Sequence, residues 1–224
     1  MESKDLAKLF EKIYGNNSWG HSPMKEAYFS GQGSSPEFTK KYEAFVVNFI
    51  ENNNIHTLVD LGSGDFQVAR RIIKQCSRKL NYIGCDIAQN LISYNIATFS
   101  QPNIQFKCLD MICDPLPKGD LVLIREVLQH LSNKQAIAAL GNIQLYYEIA
   151  IITEAIMLHP VEFNLDKEPS AETRDKLNSG LYLDKPPFNL SVAETFDVPC
   201  SSTEAYRTIV AKFPKDQSSF CKQI

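Results

Sequence analysis

The chain has 224 residues, 44% hydrophobic and 22% charged, with a formal net charge of −3. That length buries one substantial core without a second domain, and the slightly acidic balance disfavours nucleic acid as a partner. No apolar run approaches the roughly 18 residues of a membrane helix, and Met1-Glu2-Ser3-Lys4-Asp5 is too charged for a signal peptide, so no membrane partner and a cytoplasmic setting are expected.

Residues 4–14 place Leu6, Leu9, Phe10 and Ile13 at helical spacing, and residues 37–51 repeat the pattern with Tyr42, Phe45, Val46, Phe49 and Ile50. Between these helices stand Trp19-Gly20-His21 and Ser30-Gly31-Gln32-Gly33-Ser34-Ser35-Pro36. Either serine serves as N-cap, Pro36 falls in the first turn, and Glu37 completes a capping box from Ser34.

From His56 short apolar runs alternate with helical patterns. Thr57-Leu58-Val59-Asp60 reads as a strand, followed by a helix with the stripe Ala69, Ile72, Ile73 and Cys76. Tyr82-Ile83-Gly84-Cys85 is a second strand, followed by a helix carrying Leu91, Ile92 and Ile96. Residues 104–108 and 121–124 are further strands, and Ser132 with Gln135 caps a helix whose inner face is Ala136, Ala139, Leu140 and Ile143. Ile149-Ala150-Ile151-Ile152 is a fifth strand, residues 160–191 form a long, proline-punctuated functional loop, and strand-like runs at 195–198 and 206–211 follow. Such alternation predicts an α/β fold with a mostly parallel sheet and helices on both faces.

The six cysteines, Cys76, Cys85, Cys108, Cys113, Cys200 and Cys221, include no Cys-x-x-Cys pair. They are expected to be reduced and structural, with Cys85 and Cys108 packed as small hydrophobes. No His/Cys/Asp/Glu spacing suggests a metal site.

The most informative stretch is Val59-Asp60-Leu61-Gly62-Ser63-Gly64-Asp65, a buried strand ending in an acid and then a Gly-x-Gly turn into a helix. Two glycines let a nucleoside-bearing ligand approach the backbone. A dinucleotide site wants a third glycine where Gln67 stands, and it sets pyrophosphate on the helix N-terminus, where Asp65 would repel it. A cationic sulfonium ligand is tolerated there, with Asp60 adding a second negative charge. The second strand ends at Asp86, placed to accept ribose hydroxyls, and the third leads to Asp110-Met111, placed to face adenine.

Over roughly residues 55–155 the chain resembles the class I S-adenosylmethionine (SAM) dependent methyltransferases. The resemblance runs through Val59-Asp60-Leu61-Gly62-Ser63-Gly64, Gly84-Cys85-Asp86-Ile87, Cys108-Leu109-Asp110-Met111 and the stretch from Leu123 through Arg125, Glu126 and His130 to Leu131. It implies a Rossmann-like doubly wound, mostly parallel seven-stranded sheet. Residues 1–54 would form a helical cap and 55–224 the methyltransferase domain, in one structural unit. It implies SAM as cofactor and S-adenosylhomocysteine (SAH) as product, with Asp60, Gly62, Ser63 and Gly64 at the methionine portion, Asp86 and Ile87 at the ribose, and Asp110 and Met111 at the adenine. The departure is Phe66, where many members carry a third glycine. The flanking Trp19-Gly20, Ser30-Gly31-Gln32-Gly33-Ser34 and Pro186-Pro187-Phe188-Asn189 resemble a subset of bacterial-type members, which implies that the N-terminal segment folds over the cofactor with Trp19 and Ser30 near the methionine end. Trp19 serves equally as a hydrophobic staple between the two N-terminal helices.

Pro186-Pro187-Phe188-Asn189 looks like an amino-methyltransferase motif, but that motif belongs at the end of strand four, which here ends in Arg125-Glu126. The run is either a wall of the acceptor cavity or plain loop chemistry. His130 titrates in the right range for a general base, and Glu126 is the second catalytic candidate. Arg125 lines the cofactor pocket or forms an ion pair, and His159 and Glu154, both after strand five, are weaker candidates. The acceptor expected is a small molecule or glycan methylated on oxygen, with protein and RNA open. A nicotinamide-dependent oxidoreductase and a SAM-binding subunit without activity of its own are the alternatives.

Overall fold

The computed structural model describes residues 3–213. Two helices, α1 (Ser3–Gly15) and α2 (Pro36–Asn52), precede an alternation of β1 (Thr57–Leu61), α3 (Gln67–Gln75), β2 (Asn81–Asp86), α4 (Gln89–Phe99), β3 (Ile104–Cys108), β4 (Leu121–Arg125), α5 (Asn133–Tyr146) and β5 (Ile149–Met157). The chain returns through β6 (Val192–Pro199) and β7 (Glu204–Lys212). All seven strands form one sheet in the order β3-β2-β1-β4-β5-β7-β6, with β7 antiparallel to both its neighbours and the other pairs parallel. The sheet expected from the motifs is therefore present.

Successive strand residues face opposite sides, and each side has its own helices. Leu58, Leu121, Leu123 and Ile151 pack with Tyr42, Val46 and Ile50 of α2 and Ala69 and Ile72 of α3. Val59, Leu61, Val122 and Ile124 pack with Leu6, Phe10 and Ile13 of α1 and Ala136, Leu140 and Ile143 of α5. A network around Arg71 locks α2 to α3: its Nε donates to Glu43 at 2.7 Å and its Nη2 to Thr39 at 2.9 Å.

Several local expectations need correction. Ser35 is the N-cap of α2 with no side-chain bond, and the Ser34–Glu37 capping box is absent. The Ser34 hydroxyl instead donates to the Gly31 carbonyl at 2.6 Å and accepts from Gln67 Nε2 at 3.0 Å. Ile96 is exposed on α4, and Cys108 is exposed because β3 is an edge strand, whereas Cys85 is fully buried. Cys221 lies outside the described residues, and the other five cysteines are free. The Ser132–Gln135 capping box of α5 forms as read.

Gly62 takes φ +79°, and a Cβ there would stand 2.2 Å from Val127 Cγ2. Both the left-handed backbone and the missing space require glycine. Gly62→Ala is expected to lose about 1–3 kcal/mol of stability, read as a lower urea midpoint at unchanged slope.

Candidate functional site

The carboxyl ends of β1, β2, β3 and β4 open into a cavity of about 340 Å³ roofed by α1 and the segment after it. Ligands of open α/β sheets bind at this edge. The floor is the turn after β1. Gly62 and Ser63 donate backbone N–H groups to the Cys85 carbonyl at 2.8 and 2.9 Å, and Asn95 Nδ2 donates to the Gly64 carbonyl at 2.8 Å. The hydroxyl of Ser63 is buried with no partner among the described residues.

Four acids sit at the strand ends or in this turn. Asp86 accepts the Gly64 and Ala88 N–H groups at 3.1 Å each, and burial pushes its pKa up to about 6. Asp60 is buried beside Tyr82, whose hydroxyl donates to it at 2.9 Å, and burial raises its pKa to about 7. The second fixed negative charge expected at Asp60 is thus only partly present at neutral pH. Asp65 accepts the Ser30 and Gln67 N–H groups and Gln67 Nε2, while its own N–H donates to Ser30 Oγ at 2.9 Å. It therefore ties the 30–35 segment to the turn. Asp110 caps its own turn through Ile112 N–H, leaving Met111 and Ile112 on the cavity wall.

Beyond β4, Glu126 holds φ +59°, a conformation that strains a residue with a Cβ. Its carboxyl lines the cavity, Oε1 is buried without a partner among the described residues, and burial raises its pKa to about 7. Arg125 reaches back under the 30–35 segment, and its Nη2 donates to the Gly33 carbonyl at 2.8 Å. The guanidinium carbon lies 5.4 and 5.3 Å from the ring centres of Tyr42 and Tyr206, a cation held between two aromatic faces.

His130 also lines the cavity, with Nδ1 donating to the Ser170 carbonyl at 3.2 Å. Burial, helped by the Lys167 charge, lowers its pKa to about 4, so it does not titrate in the range expected for a base at neutral pH. The Trp19 ring lies tilted at 5.1 Å from it and edge-on at 5.0 Å from Tyr14, and its indole N–H donates to the Ala171 carbonyl at 3.0 Å. It joins α1 to the 160–191 loop across the cavity instead of stapling α1 to α2.

The structure brings all of Trp19, Ser30, Asp60, Gly62, Ser63, Gly64, Asp86, Ile87, Asp110, Met111, Arg125, Glu126 and His130 to this one cavity. It leaves out His159, which is exposed, because β5 runs to Met157 and carries it past the edge. Glu154 lies inside β5, away from the cavity, and accepts the N–H groups of Val127, Leu128 and Gln129 at 3.3, 2.9 and 3.1 Å. It shapes the turn that presents Glu126 and His130. Pro186, Pro187, Phe188 and Asn189 also lie off the cavity wall, so this run is loop chemistry. From the long loop only Ala171 and Thr173 reach it.

Sequence reasoning missed Leu6, Phe10 and Tyr14 as cavity residues, though their four-residue spacing puts them on one stripe of α1. It also missed Gly33, Tyr42 and Tyr206. Phe66 keeps the left-handed backbone, at φ +66°, that the resemblance assigns to a glycine. Its ring is buried, with centroids 5.0, 5.5 and 5.0 Å from those of Tyr82, Phe99 and Phe106.

Asp60, Asp86, Glu126 and Glu154 have pKa values raised to about 7, 6, 7 and 8, all chiefly by burial. The unfolded chain releases these protons near pH 4, so the folded state binds more protons and stability falls as pH rises through the raised values. His130 acts in the opposite sense, but most of its effect is complete by about pH 7. The ligand-free protein is expected to melt at a lower temperature at pH 8 than at pH 6.5, with a shallower decline in Glu126→Gln, both read by scanning calorimetry.

Comparison with known proteins accords with this geometry. No curated protein sequence matches the chain. Among solved structures, magnesium protoporphyrin IX methyltransferase (ChlM) from Synechocystis PCC 6803 with bound SAH superposes with a TM-score of 0.60 at 14% identity, over 94% of this chain and 100% of that one. N-methyltransferase NodS from Bradyrhizobium japonicum WM9, also with SAH, gives 0.56 at 12% over 79% and 88%. The [4+2]-cyclase SpnF gives 0.60 at 13% over 96% and 97%. At these identities the likeness is one of fold. The O-methyltransferase domain family model matches residues 2–183, most of the chain. The chain therefore belongs to the O-methyltransferase domain family, as an enzyme of the class I Rossmann-like methyltransferase type.

Proposed function

We propose that the protein transfers the methyl group of SAM to a hydroxyl oxygen of a small molecule, within which class a glycan is one form, and that it does so in the cytoplasm. The observation that carries this reading is the acidic character of the cavity. Its wall holds five carboxyls, Asp60, Asp65, Asp86, Asp110 and Glu126, against one guanidinium, Arg125, and with Asp60 and Glu126 partly protonated at neutral pH the wall still presents more acceptors and negative charge than positive. Such a wall suits a ligand with a sulfonium and an ammonium group and opposes a pyrophosphate, which argues against a nicotinamide cofactor. The volume, about 340 Å³, suits a nucleoside-sized ligand.

In this reading Asp86 accepts the ribose hydroxyls with the lone pairs its two backbone bonds leave free. Ile87, Asp110 and Met111 form the adenine end. Asp60, Gly62, Ser63 and Gly64 hold the methionine end, where the buried Ser63 hydroxyl gains a partner, with Trp19, Ser30 and Arg125 closing around it. Residues 1–54 act as a cap on the 55–224 domain. SAM supplies an activated methyl group for in-line displacement, so acceleration rests mainly on alignment of the acceptor. Glu126, with its pKa near 7, receives the acceptor proton, while His130, held neutral beside Trp19, keeps that part of the cavity wall in shape.

Calorimetric titration with SAM, SAH and NAD tests the reading. Micromolar binding of both adenosyl ligands, weakened by at least about ten-fold in Asp86→Ala, is the expected result. Binding of NAD with no response to SAM or SAH overturns it. Binding of SAM without transfer to any acceptor would favour the SAM-binding subunit instead.

A further inference from the structure

The donor reading leaves one end of the cavity unassigned. Toward β7 the cavity continues between Gly33, Tyr42, Glu126 and Tyr206, with Arg125 at the border it shares with the methionine end. Two features define its chemistry. Glu126 Oε1, an acceptor, and Arg125 Nε, a donor, are both buried there without partners among the described residues. A hydroxyl, which donates and accepts at once, complements that pair. Arg125 is also the one cation of the lobe and is already engaged: aromatic rings flank it, its Nη2 is on the Gly33 carbonyl, and it faces the carboxyls of both Glu126 and Asp60. Two carboxyls share this one guanidinium, so an anionic group entering the lobe would meet more negative than positive charge, while the open Nε donor still serves a neutral hydroxyl.

The shape of the lobe depends on Gly33. A Cβ at this residue would lie 2.4 Å from Glu126 Oε2 and 3.1 Å from Tyr206 Oη, so the absence of a side chain is what lets the carboxyl and the phenol stand side by side. Tyr206 comes from the last strand, and its ring also packs at 6.0 Å from Phe38 of α2, which fixes the direction of its hydroxyl.

We propose that this lobe is the acceptor site, that it takes an uncharged or cationic hydroxy compound and rejects carboxylates, and that Gly33 and Tyr206 set its specificity. The assignment rests on the methyl-transfer reading. In the reaction the acceptor O–H bond breaks and its proton goes to the Glu126 carboxylate. The oxygen lone pair forms the bond to the methyl carbon, and the electron pair of the broken carbon–sulfur bond stays on sulfur as a neutral thioether.

Three probes that share a phenol and differ in charge test the proposal: 4-hydroxybenzyl alcohol, tyramine and 4-hydroxybenzoate. Their binding to the SAH-loaded protein is measured by saturation-transfer NMR and their methylation by transfer of label from SAM. The neutral or the cationic probe is expected to bind and 4-hydroxybenzoate is not. Gly33→Ala should weaken the bound probe by about ten-fold or more while SAH affinity stays within about two-fold, and Tyr206→Phe should weaken it several-fold. Binding of 4-hydroxybenzoate as strong as that of the others, binding of none of the three, or unchanged probe affinity in Tyr206→Phe overturns the proposal. Failure of SAH to bind the wild-type protein overturns the donor reading itself, a separate result.

Discussion

Three residues of the turn after β1 sit in the left-handed region, Gly62 at φ +79°, Gly64 at +54° and Phe66 at +66°. This path folds the backbone sharply enough for its N–H groups to meet the end of β2, at the Cys85 carbonyl and the Asp86 carboxylate. Neighbouring parts of the site pack or bond onto that turn. Val127 packs on Gly62, Ser30 on Gly64, and Asn95 reaches up from α4 to the Gly64 carbonyl. The N-terminal cap is held through it as well, because Asp65 and Ser30 exchange hydrogen bonds.

A second constraint follows from burying so many carboxyls in one place. Each is costly to ionise, and each answers the cost differently. Asp86 and Glu154 collect backbone donors, Asp60 takes the Tyr82 hydroxyl, and Glu126 keeps one oxygen without a partner. The group left least satisfied is also the one on a strained backbone at the end of β4. Unsatisfied polar atoms and strain coincide where function gains from them.

Much of this was legible in the sequence, for identifiable reasons. The strands are short, apolar and separated by helices of a different period, so the sheet can be read from local pattern alone. Acids at the ends of β1 and β2 stand out because charge is rare in buried strands. The rest depended on long-range geometry. Tyr42 reads as a core residue of α2 and Tyr206 as an alternating strand residue, and only the sheet order brings both to Arg125. The local pattern ends strand five at Ile152, which puts the weaker candidates His159 and Glu154 beyond it; the strand continues through Glu154 to Met157 and changes the meaning of both residues. The titration of His130 depends on the burial and the Lys167 charge around it, which no local pattern announces.

Trp19 is the one tryptophan of the chain, and it lines the cavity with its indole hydrogen-bonded across to Ala171. The protein thus carries an intrinsic optical reporter at the roof of its cavity. Emission from the whole molecule is dominated by a single environment, so changes in solvent access at that roof are visible without any label, in time as well as in amplitude.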